Sequence, residues 1–467
     1  VVDINLRRFC SLLFSLAVLI NFYAWLVSDA YSKNLLPMQL KELHASDSAA
    51  HDNYGIIVAL SADTAVIGIP FDDSPGFNAG SAYVYTRSHG AWTVQQKLVA
   101  SDSAPGDQFG WSLALQGDTL FIGARFDDDR GFNSGSVYVY TRNSDVWTEQ
   151  QKLTANDGSV NDQYGHSIAL AGNRAIIGAP LDDNRFSSGS GFAPDFDSRF
   201  DTGSAYVYRR NVNAWTLEQK LIASDGAPGD QFGWSVALQG DSALIGARFD
   251  DDKAFNSGSA YLFNANLHAD AHADKQAWRL KQKLTAAEGA TNDQFGWSVA
   301  LDSGTAVIGA RFDDDKGVNS GSATIYTRNA ETWIKQQHLT ASNGKPGNQY
   351  SWAIALHNNT LIIGAPFDNV DGPLSGSSYV YTHNAGLWQE KQILSSSIEV
   401  LGERYGISVA LQGNDILVGA CLDYEIGSSS GSPHANTNTT CVPFVHVTTV
   451  HSATNLEKSN LPSLKTE

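Results

Sequence analysis

The chain writes one unit seven times, and this repetition limits what it can fold into more than any other feature. An aromatic residue followed by a small one marks each copy, at Tyr54, Phe109, Tyr164, Phe232, Phe295, Tyr350 and Tyr405. The step is about 55 residues and lengthens only around the third and fourth copies. A fixed period of this size belongs to a ring or stack of similar supersecondary units, each of which buries its apolar faces against its neighbours.

The copy from Asp107 to Thr141 shows the unit most clearly, and with the residues that follow it holds four short strands. In Trp111–Leu115 the small Ser112 and Ala114 alternate with leucines; Gly117-Asp118 turns; Thr119–Ala124 is a continuous apolar run. A loop rich in Asp follows, then Val137–Tyr140, a turn at Asn143–Asp145, and Trp147–Leu153, which is polar between apolar ends as expected for a half-exposed outer strand. Short strands, no helical periodicity and a glycine turn at each joint predict an all-β chain, a seven-bladed β-propeller of four-stranded antiparallel blades.

Tryptophan positions test whether the ring closes. Trp92, Trp147, Trp215, Trp278, Trp333 and Trp388 mark only six fourth strands, whereas Lys41–Asp47 matches Gln96–Asp102 at the end of a fourth strand. The N-terminal segment is therefore expected to complete the last blade and remove the edges of an open array.

Arg7 and Arg8 precede an apolar run from Phe9 to Val27, and Ser28-Asp29-Ala30 offers small residues for cleavage, so residues 1–30 read as an export signal. The run is also long enough to span a bilayer, and retention as an anchor is the alternative. The propeller is expected over 31–450 and a disordered tail over 451–467, giving a secreted, periplasmic or cell-surface monomer. In such a compartment Cys421 and Cys441 are expected to form a disulfide closing a loop of about 20 residues, worth roughly 3 kcal/mol in the chain-entropy model. The formal charge of −18 argues against nucleic acid as a partner, which needs a basic footprint.

Phe-Gly at the start of the first strand and Gly-Ala-Pro at the end of the second (Gly178-Ala179-Pro180, Gly364-Ala365-Pro366) give the repeats their resemblance to the FG-GAP repeat, the blade of the integrin α-subunit propeller. With Asp-Asp-Asp-x-Gly-x-Asn-Ser-Gly-Ser before the third strand, the chain looks most like the bacterial FG-GAP-like group of exported propellers. The resemblance spans about Lys41 to Val450 and implies a binding or adhesion role. Integrin propellers carry calcium in long loops between first and second strands; here those loops are as short as Gln116-Gly117-Asp118, so that site is not carried over.

Antiparallel topology places the entry loop and the loop between second and third strands on one face, and most of the acids fall there. Such a face attracts cations and basic partners. Each Asp triplet has two readings. It can cap turns through backbone N–H groups. It can also hold calcium, with hard oxygen ligands from Asp127, Asp129 and Asn133, from Asp250, Asp252 and Asn256, and from Asp313, Asp315 and Asn319.

Trp and Arg vary together. Copies with Trp111, Trp234 and Trp297 carry Arg125, Arg248 and Arg311 where the first, third and sixth keep Pro70, Pro180 and Pro366; the sixth has Trp352 beside its proline. Guanidinium stacking on indole follows, either as a packing pair or as a platform for a glycan or peptide side chain. His268 and His272 with interleaved Asp could bind zinc or copper, although an Ala-rich surface excursion is the favoured reading. No hydrolase, zincin or Cys-x-x-Cys motif is present. The expectation is a non-enzymatic module that binds an extracellular protein or glycan through its acidic face, with calcium as the candidate cofactor. The alternative is a polysaccharide lyase or hydrolase using Asp195, Asp197 and Arg199 of the third-repeat insertion.

Overall fold

The computed structural model describes residues 41–45, 52–74, 76–184, 201–212, 214–265, 277–370, 372–396, 402–420 and 444–449. The chain divides after Leu40, and the propeller belongs to the unit Lys41–Glu467. The export signal, the Cys421–Cys441 pair, Asp195, Asp197, Arg199, the His268–Asp274 stretch and the tail all lie outside the described residues.

Every regular element among the described residues is a strand, and the strands form seven four-stranded antiparallel sheets. Blade 2 is representative, with strands Phe109–Gln116, Thr119–Ala124, Ser136–Asn143 and Val146–Leu153 in sequential order. Blade 7 breaks that order, because its outer strand is the N-terminal Lys41–Leu43. This strand pairs antiparallel with Phe444–Thr449, in the register Lys41↔Val447, Glu42↔His446 and Leu43↔Val445. The ring closes by this strand, as the count of tryptophans requires.

The first strands line the axis, each touching the first strand of the next blade all the way round. Second strands read as unbroken apolar runs because both of their faces are buried: Leu120 and Ile122 pack towards blade 1, while Phe121 packs towards blade 3. Hydrophobic burial is thus divided into clusters that each join two neighbouring blades, such as Phe109, Tyr138 and Trp147 with Val84 and Leu98. Fourth strands in blades 1 to 6 are bulged opposite the third, which adds local twist at the rim.

Two glycines set the distance between blades. A Cβ at Gly246, near the end of a second strand, would lie closer than 3.0 Å to the carbonyl oxygen of Gly296 in the next blade. Gly123 faces Gly165, Gly178 faces Gly233, Gly364 faces Gly406 and Gly419 faces Gly55 in the same way. First-strand serines reinforce the seam: Ser112 Oγ donates to Gly165 O at 2.6 Å, and Ser408 Oγ donates to Gly55 O at 2.7 Å across the closure. The Gly-Ala and Phe-Gly steps are therefore the two halves of one contact. Gly246→Ala should destabilise the propeller by about 1–3 kcal/mol through overpacking. Gly226→Ala, whose methyl meets nothing nearer than 3.4 Å, should stay within about 0.5 kcal/mol. Urea unfolding of both variants checks the contrast.

Candidate ligand site at the channel mouth

The residue before each marker aromatic is forced into the left-handed region, from Asn53 (φ 55°) through Gln108 (57°), Gln231 (58°) and Gln294 (59°) to Arg404 (50°). This kink turns the chain into the first strand and holds the glutamine side chain beside the end of the second. There Gln108 Oε1 accepts a hydrogen bond from Arg125 Nε at 2.9 Å; Gln231 serves Arg248 at 2.8 Å and Gln294 serves Arg311 at 3.1 Å.

Held by its Nε, each guanidinium lies flat on an indole. Arg125 Cζ is 3.1 Å from the centre of Trp111, Arg248 is 3.2 Å from Trp234 and Arg311 is 3.4 Å from Trp297. Two of them also reach the tryptophan of the following blade, Arg248 to Trp297 at 5.1 Å and Arg311 to Trp352 at 4.8 Å. The stacks join into one arc along the first strands. It runs Trp111, His166, Trp234, Trp297, Trp352 and Phe367, with ring centres 4.2 to 6.0 Å apart. Its tryptophans are half-buried.

The expected Trp–Arg pairs thus exist, while His166, Trp352, Phe367 and the anchoring glutamines are additions. His166 was legible in register, since Gly165-His166-Ser167 aligns with Gly110-Trp111-Ser112.

Burial lowers the pKa of Arg125, Arg248 and Arg311 to about 9, and in Arg248 the neighbouring Arg311 adds to the effect. They remain cations at neutral pH. None has a carboxylate partner among the described residues; the glutamine oxygen is the sole hydrogen-bond acceptor each one has. His166 is 8 % exposed, its Nδ1 has no partner, and burial with the Arg125 and Arg248 charges keeps it neutral. The mouth therefore offers flat aromatic faces and unsatisfied donors of one sign.

The Asp loops surround this mouth and are organised around lysine. In blade 2, Asp127 accepts from Ser136 Oγ and Tyr138 OH, both at 2.8 Å, and from the Asp129 N–H at 3.1 Å. Lys152 Nζ lies 2.8 Å from Asp127, 2.7 Å from Asp102 and 2.7 Å from Asp129. Burial opposes the Lys152 charge, but these carboxylates outweigh it and hold its pKa above the ordinary lysine value. Lys283 repeats the arrangement with Asp225, Asp250 and Asp252, and Lys97 and Lys220 neutralise Asp72 and Asp182.

Asn133, Asn256 and Asn319 stand apart from these cages. All three have positive φ, near 55°, which explains the residue type, and their N–H groups bond to Asp128, Asp251 and Asp314. Asn133 and Asn256 point their amides at Asn161 and Asn292. The capping reading thus holds for the middle Asp of the triplet, while in blades 2 and 4 the Asps on either side hold a lysine ammonium.

A second set of acids is buried beneath the loops. Burial raises Asp107, Asp230 and Asp293 to about 6 and Asp162 to about 8, against the hydrogen bond each accepts from the N–H three residues earlier. The carboxylate that starts each triplet raises them further. In blade 6 the equivalent residue is Asn348, whose amide donates to Asp368 at 3.0 Å and so supplies the proton a neutral carboxyl would offer.

A carboxyl whose folded pKa lies above its unfolded value contributes stability that is full below the unfolded pKa, about 3.9, and is lost as pH rises through the folded pKa. For Asp162 the loss runs up to about pH 8. Asp162→Asn should therefore raise the melting temperature more at pH 8 than at pH 5. Thermal melts at both values check this, and an equal change at the two would remove Asp162 as the cause.

Comparison with known proteins places this geometry in a family. No curated protein matches the chain. Among solved structures, the β-propeller domain of Cps50 (Swd1) from Myceliophteria thermophila aligns over 88 % of this chain and 100 % of its own length. Its TM-score is 0.51 and its identity 8 %, a likeness of fold alone. The FG-GAP repeat family matches residues 37–85, 92–140, 147–208, 215–263, 278–326, 333–381 and 388–435. Seven matches in register with seven blades cover well over half of the sequence, and the chain belongs to the FG-GAP repeat family.

Proposed function

We propose that this chain is an exported, non-enzymatic binding module that takes a carboxylate-bearing glycan into the mouth of its central channel. The observation that carries this reading is the set of three guanidiniums, Arg125, Arg248 and Arg311, stacked on tryptophans and lacking any carboxylate partner among the described residues. In a chain of net charge −18, cations left without anions need a physical reason. Burying a charge is costly unless something compensates it, and here the indole faces compensate only part.

Stacking uses the guanidinium face, and the glutamine takes Nε. The Nη edge is left to donate to an oxygen, and a carboxylate matches that fork in a bidentate way. Sugar rings lie well on half-exposed indoles, and the arc presents three tryptophans in succession, Trp234, Trp297 and Trp352, around the wall. The surrounding acids do not forbid an anion. The lysines of the fourth strands neutralise much of their charge at contact distance, and exposed charges are screened beyond about 8 Å at physiological ionic strength.

Titration calorimetry and tryptophan fluorescence with an oligouronate test the reading, with the same oligosaccharide reduced to its neutral sugar as control. Binding of the acidic form with quenched fluorescence is expected, together with at least about tenfold weaker binding by Arg248→Gln, the loss of a charge-assisted hydrogen bond. Equal binding of the neutral sugar would defeat the role of the guanidiniums. Release of shortened product would replace the module by an enzyme.

A further inference from the structure

Blade 5 departs from blades 1 to 4 at one point. The cross-strand pair Tyr138↔Lys152 of blade 2 corresponds there to Thr324↔His338. Two large side chains, a phenol and a four-carbon ammonium, have become smaller ones. The result is a cavity of about 390 Å³ lined by Glu288, Asp293, Asp313, Asp315, Thr324 and His338, among others.

The acids of the cage are nevertheless kept. Asp313 and Asp315 hold the positions of Asp127 and Asp129, and Glu288 that of Asp102 with one more methylene. Ligand atoms of Asp313, Asp315 and His338 lie within 4.8 Å of one another. Asp293, 4 % exposed, also lines the cavity; Ala290 N–H serves its Oδ2, and among the described residues no donor serves its Oδ1. In blades 2 and 4 the same place is taken by an ammonium 2.5 to 2.8 Å from three carboxylates. Those blades carry their own cation. In blade 5 Lys335 also lines the cavity but makes no ion pair with these acids among the described residues, and the place opposite Thr324 holds an imidazole, which is a ligand as well as a base.

We propose that Asp313, Asp315 and His338, with Glu288 within reach, bind one divalent first-row transition ion of the zinc class. His338 is oriented for it. Its Nδ1 lies 3.1 Å from Thr324 Oγ1 and its Nε2 2.7 Å from Asp315 Oδ2. With the Nδ1 proton donated to Thr324, Nε2 presents its lone pair to the ion. The ion then takes the place of the direct contact between Nε2 and Asp315. Anchoring of the second imidazole nitrogen by a neighbour is how ligating histidines are commonly held. A nitrogen–oxygen donor set favours zinc and its neighbours over calcium, which prefers six to eight oxygens. The oxygen-only set Asp313, Asp315 and Asn319 is the calcium alternative.

Calorimetric titration of the chelator-treated full chain with zinc, and separately with calcium, reads the site, and cobalt absorption reports the coordinating atoms. One equivalent of zinc should bind, raising the melting temperature. His338→Lys, which restores the ammonium of the other blades, should abolish that equivalent and raise the metal-free melting temperature. Asp315→Asn should weaken zinc by at least about tenfold. Zinc binding that persists unchanged in both variants, or calcium binding as tightly as zinc, would overturn the proposal. Glycan binding enters none of these measurements, so failure here and failure of the glycan reading are separable.

Discussion

The structure depends on how closely one blade can approach the next, and that distance is set by backbone meeting backbone at Gly246 and Gly296 and at their counterparts. A side chain at the second-strand glycine would push the sheets apart, and a ring cannot absorb such a gap locally. Closure demands that the spacings add up around the axis, ending at Gly419 against Gly55. The repeat therefore keeps glycine at that point in all seven copies, and its partner in the next first strand is glycine in six, with Ser351 at positive φ facing Gly309 in the other. The aromatic beside the second glycine is buried for the same reason, filling the wedge behind the seam with Phe109, Tyr164 or Phe232.

Once the blades are spaced, the ends of the innermost strands become neighbours, and chemistry can be written there without disturbing the ring. Proline or arginine after the second strand makes no difference to the seam, since Pro180 and Arg248 follow the same Gly-Ala step. It makes a large difference to the mouth of the channel. Arginine there requires a planar partner and a hydrogen-bond acceptor, and the chain supplies both from the first strand of the same blade, as Trp234 and Gln231 do for Arg248. The variation is confined to positions that the closure constraint leaves free, and these are the positions expected to differ in what they bind.

Fold was legible in the sequence because the repeat states the same instruction seven times, so a single ambiguous strand could not mislead. Even the closing strand could be read, from the match of Lys41–Asp47 to Gln96–Asp102. The site was legible only where its partners lie at the two ends of one hairpin, as Trp111 and Arg125 do. What escaped was contact beyond a single hairpin: His166 within the aromatic arc between blades, and, inside one blade, Lys152 at the centre of Asp102, Asp127 and Asp129. Lysine in Gln-Lys-Leu resembles any exposed residue of an outer strand. Nothing in that tripeptide says that its ammonium reaches back to a loop 25 residues earlier.

That lysine changes what the acidic loops mean. Counted along the sequence, the carboxylates make a face of nearly uniform charge. In the folded blades 1 to 4, the Asp residues make a cation site whose cation is covalently part of the chain. Such an arrangement fixes the loop at every pH where lysine is charged and needs no ion from the medium. Its cost is that the loop cannot sense one. Blade 5 reverses the trade by the exchange of Lys and Tyr for His and Thr, while every acid that shaped the cage stays in place. A repeat protein can acquire a site in this way: copies that keep the internal partner hold their loops, as blades 1 to 4 do, and a copy that loses it while keeping the acids is free to accept an external one.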